Sequence, residues 1–364
     1  MGKSRGRANR ERLLERLGGE GSSGQRSPRP QPDIRPRRAV LRVQTTDYHT
    51  AGEPFRIITG GVAPLEGATI LDKRRFALER LDDVRKLLVF EPRGHADMYG
   101  CFVTEPNDDG ADLGVVFFHN AGYSTACGHG TIALVTWALE TGRLEAVEPE
   151  TRVVVDVPSG RLETFASVRN GHVERVRFRN VPSYVEARGL KAADLTADVA
   201  FGGAFYASVE SPLPVRGESL ARLIELGREV KRELEAARDF VHPVEPELRD
   251  IYGVIFFERL ESGPPLRQRN VTVFADGEVD RSPCGSGTAA RLALLDTDRE
   301  LERGDELVHE SIVGTEFVAR VVDETDVAGR PAVVTEVEGS AHRTGEHEFV
   351  LDERDELGTG FLLR

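Results

Sequence analysis

Two segments far apart in the chain carry nearly the same pattern, a cysteine followed by Gly-x-Gly-Thr. The first is the run 126–131 (ACGHGT), which contains Cys127, and the second is the run 283–288 (PCGSGT), which contains Cys284. Each follows an apolar strand-like run and leads into an apolar helical run, so strand, Cys-Gly turn and buried helix occur twice. This pattern predicts an α/β fold of two similar halves. Each half wraps strands around a central helix, and the cysteines meet at the cleft between the halves.

A thiol at a helix start lies in the positive end of the helix dipole, which predicts a lowered pKa for both cysteines. Free backbone N–H groups beside a thiol can hold a carboxylate. Two opposed thiols can take a proton from one face of an α-carbon and return one to the other face, with no metal and no organic cofactor. An alternative stays open, namely that these are structural cysteines at tight helix–sheet packing, with glycines chosen for steric reasons. The backbone N–H groups that would hold the carboxylate are those of Gly128, His129, Gly285 and Ser286.

Length and composition predict a soluble, globular chain with two domains. The 364 residues are 39% hydrophobic and 30% charged, and no apolar run approaches the roughly 18 residues of a membrane span. The N-terminus lacks the apolar segment of a secretory signal. Three cysteines, an odd and small number, argue against a disulfide scaffold and favour reduced thiols in the cytoplasm.

The charge is distributed unevenly along the chain. Residues 1–38 carry 11 Lys and Arg against 4 Asp and Glu, which predicts a disordered basic tail, whereas the whole chain has a net charge of -13. The acidic body argues against nucleic-acid binding. Only 5 residues are lysine, a bias that fits either a halophilic-like acidic surface or a genome that favours arginine codons.

Hydrophobic periodicity gives the expected elements. Helices are predicted at 68–88, 131–139, 220–237 and 289–295, of which the second is expected to be buried on all sides. Strands are predicted at 39–46, 55–59, 114–119, 152–157, 161–168, 172–179, 199–209, 251–257, 270–274, 308–313, 316–322, 332–337 and 348–351.

Three other kinds of site are weaker interpretations. His129 could pair with Cys127 for hydrolase chemistry, but residues two apart at a helix start are expected to diverge. His95, Asp97 and Cys101 do not match a usual zinc spacing, so a core role is expected for Cys101. The run 285–288 lacks the lysine of a phosphate-binding loop.

The chain resembles the proline racemase family over roughly residues 40–364, while the tail lies outside the resemblance. Both cysteine motifs carry it, and they are very specific. The other matching segments are 49–54 (HTAGEP), 91–95 (EPRGH), 97–100 (DMYG), 119–124, 280–288 (DRSPCGSGT), 339–345 and 360–361.

The resemblance implies a cofactor-independent enzyme of proline-like amino acids, with a two-lobed fold shared with diaminopimelate epimerase. It implies that Cys127 and Cys284 are the acid/base pair and that Asp280 holds the ring nitrogen. A possible homodimer is likewise a family expectation. The first lobe would comprise 39–185 plus about 345–364, and the second 186–344. Residues implied to contact the substrate are Gly128, His129, Gly285 and Ser286.

Within the family the branch is open between two reactions. Cys284 favours a proline racemase or hydroxyproline epimerase, because dehydratases of trans-3-hydroxy-L-proline generally carry threonine or serine at one cysteine position. The segments 91–100 and 119–127 resemble the dehydratase branch, so that dehydration is the alternative. A non-catalytic amino-acid-binding protein on the same fold is the alternative from another class.

Overall fold

The computed structural model describes residues 41–263 and 265–363, and the predicted basic tail 1–38 lies outside them. Seventeen strands of this part of the chain form one hydrogen-bonded sheet. The strands are β1 Arg42–Thr50, β2 Glu53–Gly60, β3 Tyr99–Thr104, β4 Leu113–His119, β5 Glu150–Val157, β6 Gly160–Arg169, β7 His172–Arg179, β8 Tyr184–Ala192, β9 Leu195–Phe201, β10 Phe205–Glu210, β11 Ile251–Glu261, β12 Leu266–Phe274, β13 Glu278–Asp280, β14 Leu307–Ser311, β15 Glu316–Val327, β16 Arg330–Gly339 and β17 Ala341–Val350. The helices are α1 Ile70–Arg80, α2 Asp82–Val89, α3 Gly128–Glu140, α4 Leu220–Ala237 and α5 Gly285–Thr297.

The strand pairing follows the same pattern twice. In the first series β1 and β2 are antiparallel, β2 and β3 parallel, β3 and β4 antiparallel, and β4 and β5 parallel across α3. In the second series β9 and β10 are antiparallel, β10 and β11 parallel, β11 and β12 antiparallel, and β12 and β14 parallel across α5. An antiparallel contact between β7 and β16 joins the two series. The predicted α/β class and its repeated strand–helix architecture are confirmed.

The helices α3 and α5, which begin at the cysteine motifs, are buried on every face. The strands that pack most closely around α3 are β1, β2, β7 and β17, and those around α5 are β8, β9, β15 and β16. Every residue of α3 from Gly128 to Leu139 and of α5 from Gly285 to Leu295 is buried. The predicted all-round burial of the first helix is confirmed, although the helix begins three residues earlier than the apolar run.

Two predicted elements are each divided in the structure. The single helix expected over 68–88 is wrong, because Leu81 leaves the helical conformation with φ -126° and separates α1 from α2. The single strand expected over 199–209 is also wrong. It forms the hairpin β9–β10, whose turn contains Gly203 at φ +99°. A Cβ on the neighbouring Gly202 would lie 2.4 Å from the carbonyl oxygen of Ser286, so this hairpin packs against the first turn of α5.

Candidate active site

The two cysteine motifs meet where α3 and α5 begin. Cys127 and Cys284 are the N-cap residues of these helices, and Gly128 and Gly285 are the first helical residues. A Cβ built on Gly128 would lie 2.6 Å from the Cα of Gly285, which no real side chain tolerates. The two glycines therefore allow the two helix starts to touch, and the positive ends of both helix dipoles converge on one place.

A small cavity lies at this junction, and both cysteines are part of its wall. Its walls bring together all seven residues that the sequence predicts for the site, namely Cys127, Gly128, His129, Asp280, Cys284, Gly285 and Ser286. The remaining wall residues, which sequence reasoning did not identify, are Tyr99, Ala126, Tyr206, Tyr252 and Phe274.

Cys127 has an extended backbone, and its sulfur accepts a hydrogen bond from the N–H of Gly130 at 3.3 Å. The ring of His129 lies beside it, with Nε2 3.4 Å from Sγ. The expectation that these two side chains diverge is therefore wrong. The imidazole is held in place by edge-to-face contacts with Phe55 and Tyr99, at centroid distances of 5.7 and 4.9 Å. Phe55 lies in β2 and Tyr99 in β3, far from Cys127 in the chain, so the sequence around Cys127 does not indicate these contacts.

Cys284 has a positive φ of +63°, which is uncommon for any residue with a side chain. Its N–H donates to Ser282 Oγ at 3.1 Å. The preceding carbonyl, of Pro283, accepts hydrogen bonds from Asn270 Nδ2 and Thr288 Oγ1, both at 3.1 Å. These hydrogen bonds fix the peptide before Cys284, and the N–H of Thr288 donates to the carbonyl oxygen of Cys284 at 2.7 Å. Both peptides that flank the residue are thus held in this strained conformation.

Asp280 lies at the end of β13 and is buried, with 4% of its surface exposed. One carboxylate oxygen accepts hydrogen bonds from the N–H and the hydroxyl of Ser282, at 2.8 and 2.7 Å. The other oxygen lies 3.8 Å from His129 Nδ1. Asp280 and His129 thus form a polar corner of the cavity in which a cationic ring nitrogen could be held.

Four aromatic side chains complete the wall, and three of them carry hydroxyl groups. Tyr99 and Tyr252 approach each other with 2.9 Å between their phenol oxygens, and Tyr99 also donates to Ser124. Tyr206 lies 2.7 Å from the hydroxyl of Ser286 and 3.9 Å from Cys284 Sγ. Tyr99 stands in a segment that carries the family resemblance, but nothing in its spacing indicates a place in the site.

Burial raises the pKa of both thiols and outweighs the donors that would lower it. For Cys127 the N–H of Gly130 opposes this effect, and the nearby carboxylate of Asp280 adds to it. For Cys284 burial is again the largest cause, followed by Asp280. The lowered pKa predicted from the helix dipole alone is therefore wrong for this closed cavity, because both sulfurs are removed from water.

The other candidate residues are not brought into the cavity. Cys101 is fully buried in β3, and burial raises the pKa of its thiol. His95 is exposed and contacts a backbone carbonyl of its own turn, whereas Asp97 binds Arg281. Among residues 41–263 and 265–363 no group of three or more His, Cys, Asp and Glu side chains is arranged to hold a metal ion.

None of the helices in the described part of the chain is both long enough and apolar enough to cross a membrane.

Comparison with known proteins gives consistent matches over nearly the whole described chain. The sequence model of the family described as proline racemase matches residues 45–362. A protein of Burkholderia multivorans named 3-hydroxyproline 2-epimerase is 48% identical over 330 residues, which cover 88% of this chain and 98% of that protein. A protein of Azospirillum brasilense named trans-3-hydroxy-L-proline dehydratase is also 48% identical over 330 residues, with the same coverage of 88% and 98%.

A solved structure gives the corresponding match in three dimensions. It is a hydroxyproline epimerase from Agrobacterium vitis with bound trans-4-hydroxy-L-proline, which superposes with a TM-score of 0.83 at 32% identity. The match covers 89% of this chain and 96% of that chain.

Proposed function

The chain belongs to the proline racemase family, and we propose that it is an epimerase that inverts the α-carbon of a hydroxyproline. In this proposal Cys127 and Cys284 are the two acid/base groups. The observation that carries it is the presence of both sulfurs in the wall of one small cavity, at the converging starts of two helices. A ring-hydroxylated substrate is supported by the names of the relatives and by the hydroxyl groups in the cavity wall.

The reaction needs one thiolate and one thiol. The thiolate takes the α-proton from one face, and the electron pair of the broken C–H bond moves into the substrate carboxylate. The thiol then gives its proton to the opposite face, so that the two sulfurs exchange protonation states. Backbone N–H groups at the first turns of α3 and α5 would stabilise the charge that develops on the carboxylate. These N–H groups belong to Gly128, His129, Gly285 and Ser286.

Asp280 and His129 are proposed to hold the ring nitrogen. A secondary ammonium group is a cation with two N–H donors, and a buried carboxylate is its best partner. Because Ser282 already occupies one oxygen of Asp280, the second oxygen, on the side of His129, is the one that would accept from the substrate.

The pair Tyr99 and Tyr252 supports a hydroxylated ring over unsubstituted proline. A phenol can donate and accept, so that this pair can bind a ring hydroxyl in place of one of its present contacts. Phe274, stacked on Tyr252 at a centroid distance of 5.5 Å, would cover the apolar part of the ring. Relatives that share 48% identity are named for 3-hydroxyproline, which favours a hydroxyl at that ring position.

Dehydration of trans-3-hydroxy-L-proline is the second candidate, and a specific observation favours it too. Burial raises the pKa of Tyr99 and Tyr252, so that both phenols stay protonated and can donate to a departing hydroxyl group. One thiolate would take the α-proton, the electron pair of the broken C–H bond would form the Cα–C3 double bond, and the C3–O bond would break. The departing hydroxide would take a proton from the thiol so formed and leave as water. The resulting cyclic enamine would then become a cyclic imine. This reaction needs only one of the two sulfurs as a base.

One assay distinguishes these reactions. The protein is incubated in deuterated water with L-proline, trans-4-hydroxy-L-proline and trans-3-hydroxy-L-proline. Deuterium at the α-carbon with inversion of a hydroxyproline supports the epimerase, and a cyclic imine supports the dehydratase. Binding without any exchange would contradict both and favour a binding protein.

Three broader expectations stay proposals of their own. A cytoplasmic location is supported by the free, buried state of all three cysteines. A homodimer would be tested by light scattering in solution. The lobe boundaries, 39–185 plus about 345–364 and 186–344, would be tested by limited proteolysis.

A further inference from the structure

The β1–β2 hairpin contacts the first cysteine motif and the segment that leads into the second. We propose that Thr50 and Glu53, the residues on either side of this turn, are positioning residues that together set the spacing between Cys127 and Cys284. We call this pair the β1–β2 bracket. Its assignment rests on the proposed two-thiol reaction, whereas its geometry can be tested without any substrate.

Thr50 connects the bracket to the first motif. The side chain is fully buried, and its hydroxyl donates to the carbonyl oxygen of His129 at 2.9 Å. His129 is the second residue of α3 and lies two residues after Cys127. The contact therefore fixes the first turn of the helix on which the first thiol is carried.

Glu53 connects the bracket to the second motif. It is also fully buried, and its carboxyl group accepts a hydrogen bond from the backbone N–H of Arg281 at 2.7 Å. Arg281 lies between Asp280 and Cys284, so this contact fixes the segment that carries the proposed amine anchor and the second thiol. The guanidinium of Arg281 binds Asp97 at 3.0 Å and lies farther from Glu53, at 3.6 Å.

The two contacts are held in a fixed relation by the turn itself. Thr50 and Glu53 are directly opposite each other in the antiparallel pair β1–β2. The two residues between them, Ala51 and Gly52, have φ values of +50° and +93°, which is the pattern of a tight two-residue hairpin. Thr315 donates to the carbonyl oxygen of Ala51 at 2.7 Å and attaches the hairpin turn to the turn between β14 and β15. The short hairpin therefore holds Thr50 and Glu53, and with them the two segments that they contact, at a fixed distance from each other.

The hydrogen-bonding state of Glu53 indicates which substitution should be tolerated. Its other carboxyl oxygen is buried and has no hydrogen-bond partner among the described residues. Burial, together with the nearby Asp280, raises the pKa of Glu53, which favours the neutral acid. Glutamine has nearly the same shape and keeps an acceptor for the N–H of Arg281, so Glu53→Gln should preserve the bracket.

Spacing matters differently for reactions that use one sulfur and reactions that use two. Exchange of the α-proton for deuterium on one face needs one correctly placed thiol, whereas inversion needs both at once. A displacement of about 1 Å can cost on the order of a hundredfold in rate. Loss of the bracket should therefore reduce inversion much more than it reduces exchange with retention. A purely structural role would reduce both equally.

The kinetic test compares these two rates in deuterated water with the hydroxyproline that wild type inverts. Thr50→Val and Glu53→Ala are expected to lower the ratio of inversion to exchange about tenfold or more, while Thr50→Ser and Glu53→Gln should keep it. Thr164→Val is the matched control. Thr164 is an equally buried threonine of β6 whose hydroxyl donates to a backbone carbonyl, that of Val153, at 2.7 Å. An unchanged ratio in Thr50→Val and Glu53→Ala would overturn the proposal, as would an equal fall in Thr164→Val.

A second test uses cadmium ion alone and needs no activity. Cd²⁺ bound by two thiolates shows an ultraviolet charge-transfer band, and soft thiolates are its preferred ligands. Wild type should give this band, and Cys127→Ser and Cys284→Ser should lose it. The Thr50→Val and Glu53→Ala proteins should bind Cd²⁺ about tenfold more weakly, because the two thiolates would no longer be correctly spaced. A tenfold loss of affinity corresponds to about 1.4 kcal/mol of binding free energy. Wild-type affinity in both bracket variants would overturn the proposal. If wild type inverts no hydroxyproline but the bracket variants weaken the cadmium site, the proposed function fails and the bracket stands.

Discussion

Gly128 and Gly285 are in direct backbone contact at the starts of α3 and α5. A Cβ on Gly128 would lie 2.6 Å from the Cα of Gly285, and a Cβ on Gly285 would lie 2.7 Å from the Cα of Gly128. The ring of Phe178 closes the same junction, 2.9 Å from the first of these positions. The approach of the two helix starts, and with it the size of the cavity between the thiols, depends on the absence of a side chain at both residues.

The first prediction concerns this contact. Gly128→Ala should destabilise the fold by about 1–3 kcal/mol, because the methyl group would overlap the backbone of Gly285. It should also lower the rate of α-proton exchange by roughly a hundredfold, since the helix starts must move apart. Urea unfolding and exchange in deuterated water measure the two effects.

Gly217→Ala is the matched control for this substitution. A Cβ at Gly217 meets nothing within 4 Å, so stability and exchange should both stay at the wild-type level. Wild-type exchange in Gly128→Ala would show that the two helix starts need not touch.

The second prediction concerns the second thiol. Cys284→Ser should lower the rate of inversion by about 10²–10⁴-fold, because a serine hydroxyl is far too weak an acid and base to replace the thiol. Cys101→Ser makes the same chemical change at a buried cysteine of β3 outside the cavity and should keep inversion. Chiral chromatography of the products measures both. Inversion that survives in Cys284→Ser would rule out the two-thiol reaction.

The third prediction concerns recognition of the ring hydroxyl. Tyr252→Phe removes the phenol that contacts Tyr99, and the preference for 3-hydroxyproline over proline in kcat/KM should fall about tenfold. Tyr184→Phe is the control, because Tyr184 is a buried tyrosine outside the cavity whose hydroxyl has no hydrogen-bond partner in the described part of the chain. An unchanged preference in Tyr252→Phe would place the ring hydroxyl elsewhere.

The fourth prediction follows from the raised pKa of both thiols. Cys127 and Cys284 should react with iodoacetamide more slowly than an unfolded cysteine at neutral pH, because only the thiolate reacts. Their rates should keep rising with pH beyond about 8.5, where an exposed thiol is half ionised. Mass spectrometry of the two peptides measures the rates, and the urea-unfolded chain is the reference. A plateau below neutral pH would mean that the helix dipoles dominate after all.

The fifth prediction concerns stability in acid. Burial lowers the pKa of His119 and of His309 to about 3. Between an unfolded pKa of about 6.5 and this value the unfolded chain binds protons that the folded chain does not. The contribution of these two histidines to the free energy of unfolding should therefore be complete above about pH 6.5. Below that pH the free energy of unfolding should fall by up to about 1.4 kcal/mol per pH unit for each histidine.

Urea titrations between pH 7 and pH 4 test this slope. His309→Gln removes one of the two titrating groups, so the slope of the free energy of unfolding against pH should decrease by up to about 1.4 kcal/mol per pH unit. His172→Gln is the control, because the His172 side chain is 81% exposed, and its slope should equal that of wild type. An equal slope in all three proteins would show that His309 does not stay neutral in the fold.

Local pattern predicted the parts of the fold that local interactions control. The cysteine motifs correctly predicted two helix starts, because a cap, a glycine and an apolar run are sufficient to define where a helix begins. The break at Leu81 could not be predicted in this way, since the apolar spacing continues across it while the backbone of Leu81 leaves the helical conformation. The strand Tyr184–Ala192 was missed because its charged residues and glycine do not alternate with apolar ones.

The amino-acid sequence by itself determined the chemistry available at the site: two thiols, each at the start of a buried helix, with Asp280 beside the second. Only the tertiary structure decided how that chemistry is tuned. The phenols of Tyr99, Tyr206 and Tyr252 reach the cavity from three different strands, and the ring of His129 lies against Cys127 because aromatic side chains hold it there. The sign of the thiol pKa shifts depends on burial, which sums over neighbours distant in the chain, so that no local motif can predict it.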